Sequence, residues 1–412
     1  METTHSVYFA DARKLRSVAG KSIDLVVTSP PYPMIEMWDE TFAGQSRKVR
    51  SALERADGDG AFEAMHQVLD PVWAEVARVL KPGGFACINI GDATRKIGDR
   101  FMLYPNHARM LSVLYQKGLS PLPAVIWRKQ TNAPNKFMGS GMLPAGAYVT
   151  LEHEYVLILR KGDKREFDTP DEKAARRRSA IFWEERNVWF SDVWMDLKGA
   201  RQKMPKKAQM PDKQVRERSG AFPFELPYRL INMYSVAGDT VLDPFLGAGT
   251  SLLAAMAAGR NSIGFELAAA FAQTIRDHAG QAQATANQVI SDRLKRHAAF
   301  VKERLAAGKA VKHSSREYGF PVVTRQEADI YLARPVDVRS GEALRSGEAL
   351  RSDEALRSGE ADRFTVTYAD APPKTDLYAG SAETTAAAEP VPAAEGRAGG
   401  SSGQNPRQQD LF

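Results

Sequence analysis

The sequence predicts an α/β domain built on a mostly parallel sheet, and two stretches carry that prediction. Residues 23–27 are a short run rich in β-branched side chains that reads as a buried parallel strand. Thr28-Ser29-Pro30-Pro31-Tyr32 follows at once, and its two prolines stop the strand and stiffen the turn, because each fixes φ and lacks an N–H. Residues 240–266 then read as strand, glycine turn, helix, strand and a terminal carboxylate. Open α/β sheets place their ligands where such turns leave the carboxyl ends of strands.

In chain order, residues 6–10 read as a strand ending at Asp11, a carboxylate that a helix cap would explain equally well. The proline turn after 23–27 presents the Ser29 hydroxyl, carbonyls without a local donor and the Tyr32 ring. That set suits a flat ring bearing an amino group; a plain strand-ending turn would look the same. Residues 33–60, with Met34, Ile35, Met37, Trp38 and Phe42, read either as a lid beside the turn or as core packing, broken at Asp57-Gly58-Asp59-Gly60. A helix over 71–80, with Pro71 near its start, presents Val72, Trp73, Val76, Val79 and Leu80 on one face. Residues 85–92 give a further strand and its exit. Cys87 lies inside it and belongs to the core, while Asn89 and Asp92 either line a pocket or make turn contacts. A helix over 106–116 precedes strands at 124–127 and 154–159, read as a hairpin at the end of the sheet. The loop between them, rich in Gly, Pro, Asn and Ala and carrying Lys136 and Phe137, reads as mobile and able to order on a ligand. His153 and Glu154 are adjacent rather than spaced, so no metal site is expected.

Composition changes at residue 163. Residues 163–219 carry Arg176-Arg177-Arg178 and a second cluster that includes Arg201, Lys203, Lys206 and Lys207, with Phe182, Trp183, Trp189, Phe190 and Trp194 between the two. Basic residues can contact phosphates and aromatics can pack or touch bases; a charge run alone is equally a solvated face. In residues 240–266, Gly247 and Gly249 let a ligand approach the backbone, and Glu266 can accept two ribose hydroxyls. The third glycine of the dinucleotide fingerprint is missing, which favours a single nucleoside over a nicotinamide cofactor. A helical stretch to about residue 306 packs early and runs out as an arm. The period-six repeat that begins at Arg339-Ser340-Gly341-Glu342-Ala343-Leu344 reads as a low-complexity expansion, and the Ala/Pro/Gly/Ser-rich end as disordered. On this reading a cut after about residue 325 leaves activity intact.

Together, Thr28-Ser29-Pro30-Pro31-Tyr32 and Asp243-Pro244-Phe245-Leu246-Gly247-Ala248-Gly249-Thr250 resemble the motifs of amino-group DNA methyltransferases that use S-adenosylmethionine. Their order, catalytic motif before cofactor motif, is similar to that of the permuted β-class. The resemblance implies a Rossmann-like methyltransferase fold with a mostly parallel seven-stranded sheet, an antiparallel end hairpin and circularly permuted motifs. It implies a catalytic half in residues 1–162, target recognition in 163–219, a cofactor half with a trailing helix in 220–310 and a largely disordered tail in 311–412. Ser29, Pro30, Pro31 and Tyr32 would be catalytic. S-adenosylmethionine would meet Asp11, Phe222, Pro223, Asp243, Pro244, Phe245, Gly247, Gly249, Thr250 and Glu266, and DNA would meet Arg201, Lys203, Lys206 and Lys207. The Ser-Pro-Pro-Tyr form is similar to the branch that methylates cytosine N4. Adenine N6 is the close alternative; a catalytically silent DNA-binding protein that keeps the fold is the alternative of another class. The implied partners are double-stranded DNA and, where one exists, a cognate restriction endonuclease.

The whole chain is compatible with this. Its 412 residues suggest two or three domains, 43% of them are hydrophobic, and the net charge of +6 permits a polyanionic partner. No apolar run approaches the ~20 residues of a membrane span, and the first residues lack a signal-peptide layout. The single cysteine, Cys87, excludes a disulfide framework and fits a cytoplasmic home. Placed in the core, it leaves no nucleophile for cytosine C5 methylation.

Overall fold

The computed structural model describes residues 1–129, 138–198, 222–341 and 361–369. The chain divides into a unit Met1–Lys374 and a second unit Thr375–Phe412, and every described residue belongs to the first.

Ten strands form one sheet among the described residues: β1 (Glu2–Phe9), β2 (Ile23–Thr28), β3 (Leu80–Ile90), β4 (Leu119–Arg128), β5 (His153–Lys161), β6 (Val193–Trp194), β7 (Thr240–Asp243), β8 (Asn261–Glu266), β9 (Pro335–Ser340) and β10 (Ala361–Tyr368). Their order is β6-β4-β5-β3-β2-β7-β8-β1-β10-β9. β3, β2, β7, β8 and β1 run parallel, β5 runs antiparallel to both β3 and β4, and β10 runs antiparallel to both β1 and β9. The sheet is therefore wider than the seven strands anticipated, because β6 extends one end and β10 and β9 extend the other.

β2 sits at the centre, and all six of its residues are buried. Val26 faces one core cluster, while Leu25 and Val27 face the other. Burying each such side chain contributes about 1.5–3 kcal/mol. The one charged residue in β2, Asp24, is held by Lys81 at 2.7 Å and by the Thr240 N–H at 3.0 Å.

Residues 33–60 are largely helical, with helices Asp39–Gln45 and Arg47–Glu54, and Phe42, Val49 and Ala52 are buried, which bears out the core-packing alternative. Other readings are corrected. The break at Asp57 is a helix start: its carboxylate accepts the Gly60 N–H at 2.8 Å and opens a helix over Gly58–Val79. Pro71 lies inside that helix, yet the buried face runs through it from Ala61 to Val79. Packing of that face outweighs the roughly 3 kcal/mol an internal proline costs. Helix Ala282–Ala306 does not leave as an arm, since Ile290, Arg293, Leu294, His297 and Val301 are buried along it. The supposed tail contains β9 and β10, and in β10 Phe364, Val366 and Tyr368 alternate inward against β1. Most of the repeat, residues 342–360, lies outside the described residues.

Of the aromatics before the second basic cluster, Phe182, Trp189 and Trp194 take the packing alternative: they are buried, and the Trp194 indole N–H donates to the Trp189 carbonyl at 3.0 Å. Trp183 and Phe190 are exposed. Of the arginine triplet, Arg177 pairs with Asp329 at 3.1 Å and Arg178 lies over the Tyr331 ring at 4.3 Å. Among the described residues, no helix is long and apolar enough to cross a membrane.

Candidate active site

Strand register brings the predicted turns together. β2 and β7 are parallel neighbours, with Val26 opposite Leu242, so the proline turn and the glycine turn leave the same edge side by side. β8 lies next to β7 and ends at Glu266, which stands opposite Phe9 of β1, two residues before Asp11. β5 runs the other way, so its beginning, with Glu154, reaches this edge rather than its end. A cavity of about 530 Å³ opens here, within the usual size of small-molecule sites. Its walls include Ser29, Pro30, Pro31 and Tyr32 from the first turn, and Asp243, Pro244, Phe245, Gly247 and Thr250 from the second. Asp11, Phe222 and Glu266 complete the predicted members, and Met37, Trp38 and Thr41 close one side.

A hydrogen-bonded cluster backs the proline turn. Ser29 Oγ lies 3.0 Å from Tyr32 Oη. The Tyr32 hydroxyl donates to Glu154 Oε2 at 2.9 Å, and Asn89 Nδ2 donates to Tyr32 Oη at 2.7 Å and to Glu154 Oε2 at 2.6 Å. Lys129 forms an ion pair with the other Glu154 oxygen and lies 4.5 Å from the Trp127 ring centre. Desolvation, then the Glu154 charge, push the Tyr32 hydroxyl well above its ordinary range, so it stays protonated. Cys87, further along β3 from this cluster, is buried, and burial pushes its thiol up as well.

The second turn is fastened from within. Asp243 accepts from the Thr28 and Ser251 hydroxyls at 2.5 Å each and from the Phe245 N–H at 3.0 Å. Its carboxylate thus ties β2 to helix Thr250–Ala258. Burial raises it to about 6, above the lowering effect of those donors. Glu266 accepts the Gly247 N–H at 2.8 Å with one oxygen and the Ala268 N–H at 2.7 Å with the other. Burial raises its carboxyl too, against those backbone donors. At Asp11 burial acts upward, but the hydrogen bonds and charge of Arg13, in contact with both carboxylate oxygens at 2.5–3.0 Å, carry it below the carboxylate range.

Not every predicted residue reaches the cavity. Gly247 has open space where a Cβ would stand. Gly249 is not among the lining residues; a Cβ there would meet Ile275, and its φ of +86° explains the glycine by backbone conformation instead. Pro223 is not in the lining either, although Phe222 is. Arg201, Lys203, Lys206 and Lys207 lie outside the described residues. Asn89 and Asp92, the pocket candidates of β3 and its exit, are not in the lining: Asn89 bonds Tyr32 and Glu154, and Asp92 bonds His107, while Glu154 and Lys129, which do line the cavity, were missed. The signal available was that an antiparallel strand delivers its first residues to this edge. A larger cleft, about 1570 Å³, opens beside the start of β2 and β3. It holds Arg176 and Arg177 and none of the predicted catalytic or cofactor residues.

A family model described as DNA methylase matches residues 23–277. The chain is 51% identical over 336 residues to the Type II methyltransferase M.MthZI of Methanothermobacter thermautotrophicus, spanning 81% of this chain and 92% of that protein. It is 47% identical over 276 residues to the Type II methyltransferase M.MjaI of Methanocaldococcus jannaschii, spanning 64% and 88%. Among solved structures it is similar to a putative DNA modification methylase of Thermus thermophilus, TTHA0409, complexed with S-adenosyl-L-methionine, with 30% identity, a TM-score of 0.52 and coverage of 68% of this chain and 94% of that one.

Proposed function

Because the chain belongs to the DNA methylase family, we propose that it moves a methyl group from S-adenosylmethionine to the exocyclic N4 amino group of a cytosine turned out of duplex DNA. The observation that carries this is the shared cavity, in which Ser29 and Tyr32 face the same space as Gly247 and Glu266.

The residues present fit S-adenosylmethionine. Each Glu266 oxygen accepts one backbone N–H and keeps acceptor capacity for a ribose hydroxyl. The backbone at Gly247 is open to close approach, and Phe222, Phe245, Phe265 and Phe271 supply apolar wall. Asp243 is better read as the brace between the two turns than as a ligand. When bound, the cofactor supplies an electrophilic methyl group.

The amino nitrogen of cytosine is a poor nucleophile because its lone pair is delocalised into the ring. Ser29 Oγ and the Pro30 carbonyl accept its two hydrogens and draw it toward a tetrahedral, electron-rich state. Positioning of this kind is worth about 7–11 kcal/mol. Swinging the base out of the duplex costs a few kcal/mol, and stacking on Tyr32 returns about 1–3 kcal/mol. No covalent intermediate is required. Serine at the head of the turn favours cytosine N4 over adenine N6, in line with the branch that Ser29-Pro30-Pro31-Tyr32 resembles.

The catalytic half in 1–162 and the cofactor half in 220–310, in permuted order, remain our division of the domain. Target recognition is narrowed to the second basic cluster, where Arg201, Lys203, Lys206 and Lys207 contact DNA phosphates. The setting we propose is cytoplasmic restriction–modification, with a cognate endonuclease as the companion activity. Mass spectrometry of nucleosides from DNA treated with the protein and cofactor tests the base: 4-methylcytosine is the expected product, and 6-methyladenine would replace this reading with the N6 one.

A further inference from the structure

We infer that Glu154, two hydrogen bonds behind Ser29, turns the serine hydroxyl into an acceptor for the substrate's amino hydrogens and takes up the proton that methyl transfer releases. The inference rests on the reading of Ser29 as the residue that meets the amino group.

Hydrogen-bond accounting fixes the direction of the chain. Tyr32 Oη has three neighbours: Asn89 Nδ2 at 2.7 Å, Glu154 Oε2 at 2.9 Å and Ser29 Oγ at 3.0 Å. An amide nitrogen only donates and a carboxylate only accepts. The single Tyr32 proton therefore goes to Glu154, since otherwise two oxygens would face each other at 2.9 Å with no hydrogen between them. Tyr32 Oη is then left to accept, and Ser29 must donate to it. With its proton committed behind it, Ser29 keeps its lone pairs for an incoming N–H. If Glu154 could not accept, Tyr32 could donate to Ser29, and the serine proton would be free to face the amino hydrogens, donor against donor. Glu154 is held for this role by Asn89 and by its ion pair with Lys129, which offsets the cost of burying its charge. The raised ionisation of Tyr32 keeps it a proton carrier rather than a phenolate.

The same chain leads a proton out. As the N–C bond replaces the C–S bond, the amino nitrogen is left with one proton too many. That proton passes to Ser29 Oγ while the Ser29 proton moves to Tyr32 Oη and the Tyr32 proton moves to Glu154. Ser29 and Tyr32 end as they began, and Glu154 ends neutral until it releases the proton to water. Glu154 lines the cavity with Lys129, but in this scheme it acts through Tyr32 and is a positioning residue.

The test compares Tyr32→Phe, Glu154→Gln and their double variant with the parent and with Ser29→Ala. Single-turnover methyl transfer is measured at saturating DNA and S-adenosylmethionine, together with both affinities and the melting temperature. Tyr32→Phe keeps the ring and removes only the relaying oxygen; Glu154→Gln keeps an acceptor oxygen but takes up no proton. Each should slow transfer about 10²-fold, the lower end of general acid–base contributions, with both affinities held. The double variant should be no slower than the slower single one, because one chain is broken only once. Without DNA or cofactor, the ¹³Cζ signal of labelled Tyr32 should move in Glu154→Gln. Should Glu154→Gln fail to fold, Tyr32→Phe decides by its rate alone. A parental rate in either folded single variant, additive losses in the double variant, or an unmoved tyrosine signal overturns the inference. A folded Ser29→Ala working at the parental rate would instead overturn the catalytic reading of the turn, while the tyrosine signal still responds to Glu154.

Discussion

Polar groups at the cavity edge and polar groups in the scaffold are bonded differently. In the scaffold the ion pairs that join one element to another are closed. Arg293 meets both oxygens of Glu185 at 2.7 Å and donates to Tyr228 at 3.0 Å, all within the core. Arg276 clasps Asp362 of β10 at 3.0–3.1 Å, and Arg165 clasps Asp239 at 2.7–2.9 Å. At the cavity, Glu266 holds one backbone N–H per oxygen and Ser29 a single neighbour, which leaves acceptors facing open space. Closed pairs hold elements together, and part-satisfied groups with a fixed orientation wait for a ligand. Damage to the scaffold should therefore appear as lost stability, and damage to the edge as lost binding or rate.

The largest break is truncation. Cutting after residue 325 removes β9 and β10, and with them Phe364, Val366, Tyr368 and the Arg276 partner Asp362. Losing buried aromatics costs about 3–5 kcal/mol each, which together rivals a whole domain's 5–15 kcal/mol. The expected product is unfolded or insoluble, whereas a cut after Lys374, where the first unit ends, should keep the parental melting temperature. A soluble 1–325 fragment with a parental melt would erase the structural distinction. Glu185→Ala comes next. It strands the buried Arg293 charge and should cost about 3–5 kcal/mol in denaturant unfolding, without changing cofactor affinity at temperatures where the protein is folded.

On the cavity side, Glu266→Ala should weaken S-adenosylmethionine binding by about 1–3 kcal/mol, read by calorimetry, with a smaller effect on stability. Unchanged affinity in a folded variant would remove Glu266 from the site. Asp243 belongs to both classes, and pH sharpens its place. Its folded value, raised by burial to about 6, lies above the unfolded one, so its stabilising contribution is full below about pH 4 and fades as pH rises through 6. Asp243→Asn should flatten the fall in melting temperature over that window; an unaltered profile would mean that Asp243 ionises as freely as in the unfolded chain.

The same division explains what the sequence discloses. The two turns were legible because prolines after a buried strand, and glycines before a helix, fix backbone locally. Helix Asn106–Gln116 was legible because Gly118, at φ +84°, closes it. Glu154 was not, because its place depends on β5 running against β3, a long-range fact. Nor was the buried state of Phe182, Trp189 and Trp194, since aromatic residues beside basic ones suit a core as well as a nucleic-acid surface. The alternation Phe364, Val366, Tyr368 was present in the sequence, but the repeat before it drew the reading toward disorder. Pro71 and Asp57 misled in the opposite direction, as breakers inside or beside a helix that its buried face sustains.

The central claim is that Ser29 accepts hydrogen bonds from the target amino group in the transition state. Ser29→Ala, shown folded by its melt with cofactor, tests it directly in single-turnover methyl transfer alongside calorimetric S-adenosylmethionine binding. The rate should fall about 10²–10³-fold, as for loss of one preorganised hydrogen-bonding group, while cofactor affinity is unchanged. A parental rate in that folded variant would contradict the claim and leave the Pro30 carbonyl as the group that orients the amine.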